Sequence, residues 1–104
     1  MYSLYIVRCA DGSLYTGIAV DVERRFQEHQ CGPRGAKYLR GKGPLRLEFV
    51  QSIGDRSSAS RAEYRVKKLD REGKEKLIAG RYSLTELLAE HPGNGAQVSG
   101  EVAG

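Results

Sequence analysis

Tryptophan is missing from this 104-residue chain, methionine occurs once, and cysteine, histidine and phenylalanine occur twice each. Two cysteines, Cys9 and Cys31, are too few for a disulfide framework. Set beside two histidines at no suitable spacing, they also argue against a structural zinc site. No apolar run approaches the roughly 20 residues of a membrane span, and the first residues read into a strand rather than a secretory signal. A reduced, cytoplasmic protein is therefore expected, with no membrane partner. Residues 30–44 contain no acid, and their glycines lack the GxxxxGK[ST] order of a phosphate-binding loop, so no nucleotide cofactor is expected. Internal repeats are absent.

What the chain does have is positive charge, unevenly placed. Its 17 basic residues all lie at or before Arg81 against 10 acids there, which gives +7, while the three acids beyond give −3. Such a body suits a polyanion, although many soluble proteins are as basic. At this length the chain is one domain, near the small end of what buries its own core.

Tyr2–Arg8 and Ser13–Ile18 are rich in aromatic and β-branched residues and flank Ala10-Asp11-Gly12, the pattern of a β-hairpin. A three-residue loop with Gly12 in the left-handed position sets Cys9 opposite Ser13, Tyr5 opposite Gly17 and Val7 opposite Tyr15, with both phenols on one face. A two-residue turn would put them on opposite faces, because a one-residue slip inverts a strand. The three-residue loop is expected.

Asp21 is a good N-cap for a helix running to about His29, on which Arg25 and His29 are neighbours four residues apart. Residues 30–44 read as a mobile basic loop with one helical turn around Ala36–Arg40. Leu45, Leu47 and Phe49 alternate with Arg46, Glu48 and Val50, which predicts a third strand with one buried face. Ser57 or Ser58 is expected to open a helix burying Ala59, Ala62, Val66 and Leu69. Asp70 is expected to cap another that buries Leu77 and Ile78. Ser83 and Glu86 have capping-box spacing for a last short helix. The expected fold is α+β, a small three-stranded antiparallel sheet flanked by helices in the order β-β-α-β-α-α. Residues 1–82 form the domain, 83–90 the short helix and 91–104 a disordered tail.

Several residues could act on a phosphodiester. That reaction needs a deprotonated nucleophile, positive charge on the phosphoryl oxygens and stabilisation of the leaving oxygen. Glu63 could hold one hard divalent ion whose shell is completed by water. Arg25 offers a planar fork for phosphate. Tyr5, Tyr15 and His29 could orient or deprotonate water, although a tyrosine with a pKa of about 10 needs neighbouring positive charge to serve as base. Each has an ordinary alternative: sheet packing for the tyrosines, a solvated helix face for Arg25, a helix-end dipole contact for His29, and a surface pair with Lys67 for Glu63.

Taken together, Tyr5, Tyr15 and Gly17 on a hairpin, then Arg25, His29 and Glu63, resemble the GIY-YIG nuclease superfamily in order and spacing over most of residues 2–78. Residues 5–17, Gly-Ala-Lys-Tyr at 35–38 and Val-Lys-Lys-Leu at 66–69 are most similar to its stand-alone bacterial branch of YhbQ-like proteins. The name-giving triplets stand here as Ser-Leu-Tyr and Tyr-Thr-Gly. The resemblance implies a divalent-metal-dependent DNA endonuclease acting in repair or recombination, with Mg2+ or Mn2+ as a single ion on Glu63. It implies Tyr5 as base or water-orienting group, Tyr15 at the water or phosphate, and Arg25 on the pentacovalent phosphate. Gly17 would leave room for Tyr5 and the DNA backbone, and His29 matches a histidine found in part of the family. Where some members carry a basic residue this chain has Ile18 and Ala19, so Lys37 or His29 is expected to supply that charge. Arg34, Lys37, Arg40, Lys42 and Arg46, with Tyr38 among them, would contact DNA, branched or single-stranded. The alternative is a nucleic-acid-binding module that keeps the fold and cleaves little or not at all.

Overall fold

The computed structural model describes residues 1–31 and 35–90, so the expected tail at 91–104 lies outside the described residues. The chain divides between Lys67 and Lys68 into two compact units. The first holds β1 (Tyr2–Arg8), β2 (Leu14–Ala19), α1 (Val22–Cys31), a single 3-10 turn (Lys37–Leu39), β3 (Arg46–Gly54) and α2 (Arg56–Lys67). The second begins at Lys68 and holds α3 (Arg71–Ile78) and α4 (Leu84–Glu90). No helix among the described residues is long and apolar enough to cross a membrane.

All three strands run antiparallel in the order β2-β1-β3, so β1 is central. Its Leu4, Tyr5, Ile6 and Val7 are all buried, as a strand covered on both faces requires. The hairpin closes through the three-residue loop. Cys9 N–H donates to the Ser13 carbonyl at 2.8 Å, Gly12 N–H donates to Cys9 at 2.9 Å, and Gly12 takes φ 89°. Asp11 fixes the turn by accepting from both the N–H and the hydroxyl of Ser13. The register therefore pairs Tyr5 with Gly17 and Val7 with Tyr15. Cross-strand partners share a face, which brings both phenols to one side.

That side carries a core of Tyr5, Val7, Cys9, Leu39 and Leu45, against which Tyr15, Ala19, Val22, Phe26 and Ala36 pack. Asp21 caps α1 by accepting from Arg24 N–H, and the helix runs two residues past His29 to Cys31. The 3-10 turn falls within the expected helical turn and buries Leu39. The described part of this loop is anchored rather than loose, since Ala10 N–H donates to the Lys42 carbonyl at 2.9 Å.

The third strand departs from the expected pleat. Ile6 pairs with Phe49 and Val7 with Leu47, so Glu48 is an extra residue in a bulge. The bulge puts Leu47 and Phe49 on opposite faces, and Leu47 is 38% exposed. In exchange, the Glu48 carboxylate reaches Arg8 Nε at 2.8 Å. Strict alternation could not reveal a residue that the ladder skips. Helix α2 lies against all three strands and buries Ala59, Ala62 and Val66. Asp55 caps it, not Ser57 or Ser58, by accepting from Ser58 N–H at 2.8 Å. In the second unit Asp70 accepts from Gly73 N–H, and Ser83 and Glu86 form the reciprocal capping box.

Candidate active site

Tyr5 stands at the centre of the site. Its ring is buried in the sheet core, and its hydroxyl lies 2.8 Å from His29 Nε2. Gly17, directly opposite, makes this possible. A Cβ there would lie 2.5 Å from Tyr5 Oη and 2.7 Å from Cζ, so any side chain would displace the phenol. His29 is buried by the last turn of α1, and its Nδ1 accepts from Ala36 N–H at 3.0 Å. Tyr15 completes the cluster. Its ring centroid is 6.4 Å from that of Tyr5, and it meets His29 edge-on at 5.5 Å.

The electrostatics converge on the same phenol. Burial and the neighbouring Tyr15 push the Tyr5 pKa up to about 12, the guanidinium of Arg25 pulls it down, and the Glu63 carboxylate raises it. Charges on two different helices, Arg25 on α1 and Glu63 on α2, thus act on one phenol in opposite directions. Burial, then the charge of Arg25, lowers the His29 pKa below its ordinary value. Both causes favour the neutral imidazole, against the positive charge that one expectation assigned to His29. Lys37, the other candidate, is exposed. Arg25 also donates to Glu28 at 2.9 Å, and Glu63 pairs with Lys67 at 3.2 Å. The ordinary surface pairings therefore coexist with the convergence on Tyr5.

The raised phenol has a consequence for stability. Between pH 10 and about 12 the unfolded chain gives up the Tyr5 proton while the folded chain keeps it, so stability falls as pH rises. Tyr5→Phe removes this contribution. Urea midpoints measured from pH 8.5 to 11 should decline less steeply for the variant than for the parent, and equal slopes would reject the buried, raised phenol.

The basic loop extends the aromatic row outward. Tyr38 stacks on Tyr15 at 6.0 Å with 23° between the planes, and its ring remains about half exposed. Lys42 Nζ sits 4.2 Å from the Tyr38 ring centroid and 3.4 Å from Asp11 of the hairpin turn. Arg40 is exposed, Arg46 leans toward Glu48 at 3.8 Å, and Arg34 lies outside the described residues. Sequence reasoning missed three contributors. Glu28 was detectable three residues after Arg25 as an ordinary helix pair. Neither the Ala36 amide nor the Asp11–Lys42 tie leaves a sequence signal, because both depend on how the loop returns over the hairpin.

The donor set bears on the implied metal. Among the described residues no group of three or more His, Cys, Asp or Glu is assembled to hold an ion. Glu63, with a side chain 24% exposed, is a partly accessible carboxylate paired with Lys67, and its charge acts on Tyr5. That fits a hard divalent ion carrying most of its own water, and does not fit a multiply ligated zinc.

Comparison with known proteins places the chain in a family. A family model for the GIY-YIG catalytic domain matches residues 1–76. The chain is 58% identical over 86 residues to the UPF0213 protein YhbQ of Escherichia coli O139:H28, covering 83% of this chain and 85% of that one. The same identity and coverage hold for YhbQ of Shigella boydii serotype 18. Two solution NMR structures are also similar. The UPF0213 protein BH0048 from Bacillus halodurans has TM-score 0.50 and 41% identity, covering 86% of this chain and 96% of that one. EF2693 from E. faecalis has TM-score 0.54 and 32% identity, covering 91% and 94%.

Proposed function

This chain belongs to the GIY-YIG family of nuclease domains, and from that premise we propose that it is a divalent-metal-dependent DNA endonuclease acting in repair or recombination. The observation that carries the reading is the buried Tyr5 hydroxyl 2.8 Å from His29 Nε2 and beside Tyr15, a phenol whose pKa is lowered by the charge of Arg25 and raised by that of Glu63.

In this reading Tyr5 orients the attacking water and takes its proton. Tyr15 lines the approach to the phosphate, and Arg25 binds the phosphoryl oxygens as negative charge builds on them. Glu63 holds a single Mg2+ or Mn2+, which when bound supplies positive charge to the phosphoryl and leaving oxygens. A phenol pushed up to about 12 is protonated at neutral pH, so its work as base depends on the positive charge gathered around it. Tyr38, Lys37, Arg40 and Lys42 form the approach for DNA, with Tyr38 as a half-exposed face on which a base can stack. Single-stranded DNA, or the unpaired parts of branched DNA, suits such a surface, because bases there are free of pairing and can turn onto an aromatic face.

The alternative, a binding module with little activity, draws on the same raised phenol and on the pairing of Glu63 with Lys67. Incubation with supercoiled plasmid, branched DNA and single-stranded DNA, with Mg2+, Mn2+ or chelator, separates the two. Cleavage that needs the metal is expected. Binding without cleavage of any substrate would leave the module as the correct account.

A further inference from the structure

Both ring nitrogens of His29 are engaged, and the partners are chemically unequal. Nδ1 faces the main-chain N–H of Ala36 at 3.0 Å, a group that can only donate. Nδ1 must therefore present its lone pair. A neutral imidazole with a lone pair on Nδ1 carries its proton on Nε2, and Nε2 faces Tyr5 Oη at 2.8 Å. An imidazolium would set two N–H groups against each other at Nδ1. We infer that residues Gly35 and Ala36 are positioning residues which fix His29 as a hydrogen-bond donor to Tyr5 and deny it the role of a base.

The sequence around Ala36 is built for this contact. A Cβ on Gly35 would lie 2.7 Å from the Glu28 carbonyl oxygen and 2.8 Å from His29 Cα. Both are backbone atoms of α1 and cannot rotate aside, so the chain can return over the end of the helix only with glycine there. Ala36 leads directly into the 3-10 turn, whose Leu39 is buried against Tyr5 in the same core. The amide that sets the tautomer is thereby joined to the loop bearing Lys37, Arg40 and Lys42. A donor aimed at the phenol oxygen favours its charged form. It acts with Arg25 and against the other groups that face Tyr5, which are Tyr15 on β2 and Glu63 on α2.

The test uses the whole chain and imidazole 15N shifts, with the two histidines distinguished by His29→Asn. In the parent at pH 7.5, His29 is expected to be neutral and protonated at Nε2. Ala36 sits at φ −60°, which proline adopts, so Ala36→Pro removes the N–H at a compatible backbone angle, and its ring Cδ, standing where the proton was, pushes the imidazole off this contact. This variant should lose the single tautomer and cleave about 10- to 100-fold more slowly, the share of one hydrogen bond to a charged group. Ala36→Gly keeps the N–H and should behave as the parent, whereas Gly35→Ala should repeat the proline result by displacing the loop. A parent His29 protonated at Nδ1, or doubly protonated, overturns the inference even if no variant folds. So does a single Nε2–H tautomer that survives in Ala36→Pro. The effect on rate rests on the nuclease reading, whereas the tautomer does not. A chain that shows the tautomer but cleaves nothing would end the nuclease reading and support this one.

Discussion

Glu63→Gln is expected to lower metal-dependent DNA cleavage at least about 100-fold while moving Tm by no more than about 3 °C. The two numbers come from different parts of the same side chain's surroundings. Structurally, Glu63 is one half of a surface i,i+4 pair with Lys67 at 3.2 Å, and the lysine side chain is 54% exposed. Such pairs contribute about 0.3–0.5 kcal/mol, so the fold hardly notices the loss. Chemically, Glu63 is the carboxylate assigned to the single ion, and glutamine keeps its shape while removing the charge that an oxygen-loving cation needs. A second readout requires no metal. Glu63 raises the Tyr5 pKa, so the variant's Tyr5 should titrate below about 12, observable as tyrosinate absorbance against a Tyr5→Phe control. Retained cleavage with a lowered Tyr5 titration would remove Glu63 from the metal while keeping it in the site. A Tm drop far beyond the expected few degrees would show that its role is structural.

The hairpin was legible in the sequence because register is over-determined there. A three-residue loop and a left-handed Gly12 fix the pairing, and the pairing fixes which side chains share a face. The caps at Asp21, Asp70 and Ser83 were legible for a similar reason, since short polar side chains satisfy amides within three residues and leave a local mark. The bulge at Glu48 was not. It is stabilised by Arg8 on a neighbouring strand, and nothing in residues 45–50 alone distinguishes a bulged ladder from a regular one. The same division runs through the site. Tyr5, Tyr15, Arg25, His29 and Glu63 were named from the family resemblance, each having an ordinary reading by itself. Their hydrogen-bond polarity was not legible, because it depends on a main-chain amide seven residues after His29. Backbone donors have no letter in the sequence, so a site finished by one is readable in its side chains and silent in its tautomers.

Gly17→Ala carries the other large effect. The added methyl would lie 2.5 Å from Tyr5 Oη and 2.7 Å from Cζ, closer than nonbonded atoms approach, so one group must yield. The phenol is poorly placed to do so. Its ring is 1% exposed, packed with Val7, Cys9, Leu39 and Leu45, and tied to His29 at 2.8 Å. Overpacking of this kind costs about 1–3 kcal/mol, and displacing a reacting group by about 1 Å costs about 100-fold in rate. A double substitution separates these two losses. Because the methyl meets Cζ as well as the oxygen, Tyr5→Phe should relieve only part of the strain in Gly17→Ala, whereas Tyr5→Leu should relieve nearly all of it. Thermal unfolding of the Gly17→Ala/Tyr5→Leu chain should therefore show strong non-additivity, with stability recovered relative to the sum of the single losses. Its cleavage should stay absent, because the hydroxyl is gone. Simple additivity in Tm would mean that position 17 and the phenol do not compete for one space. Full activity in Gly17→Ala would mean that the chemistry does not need the phenol where Gly17 lets it stand.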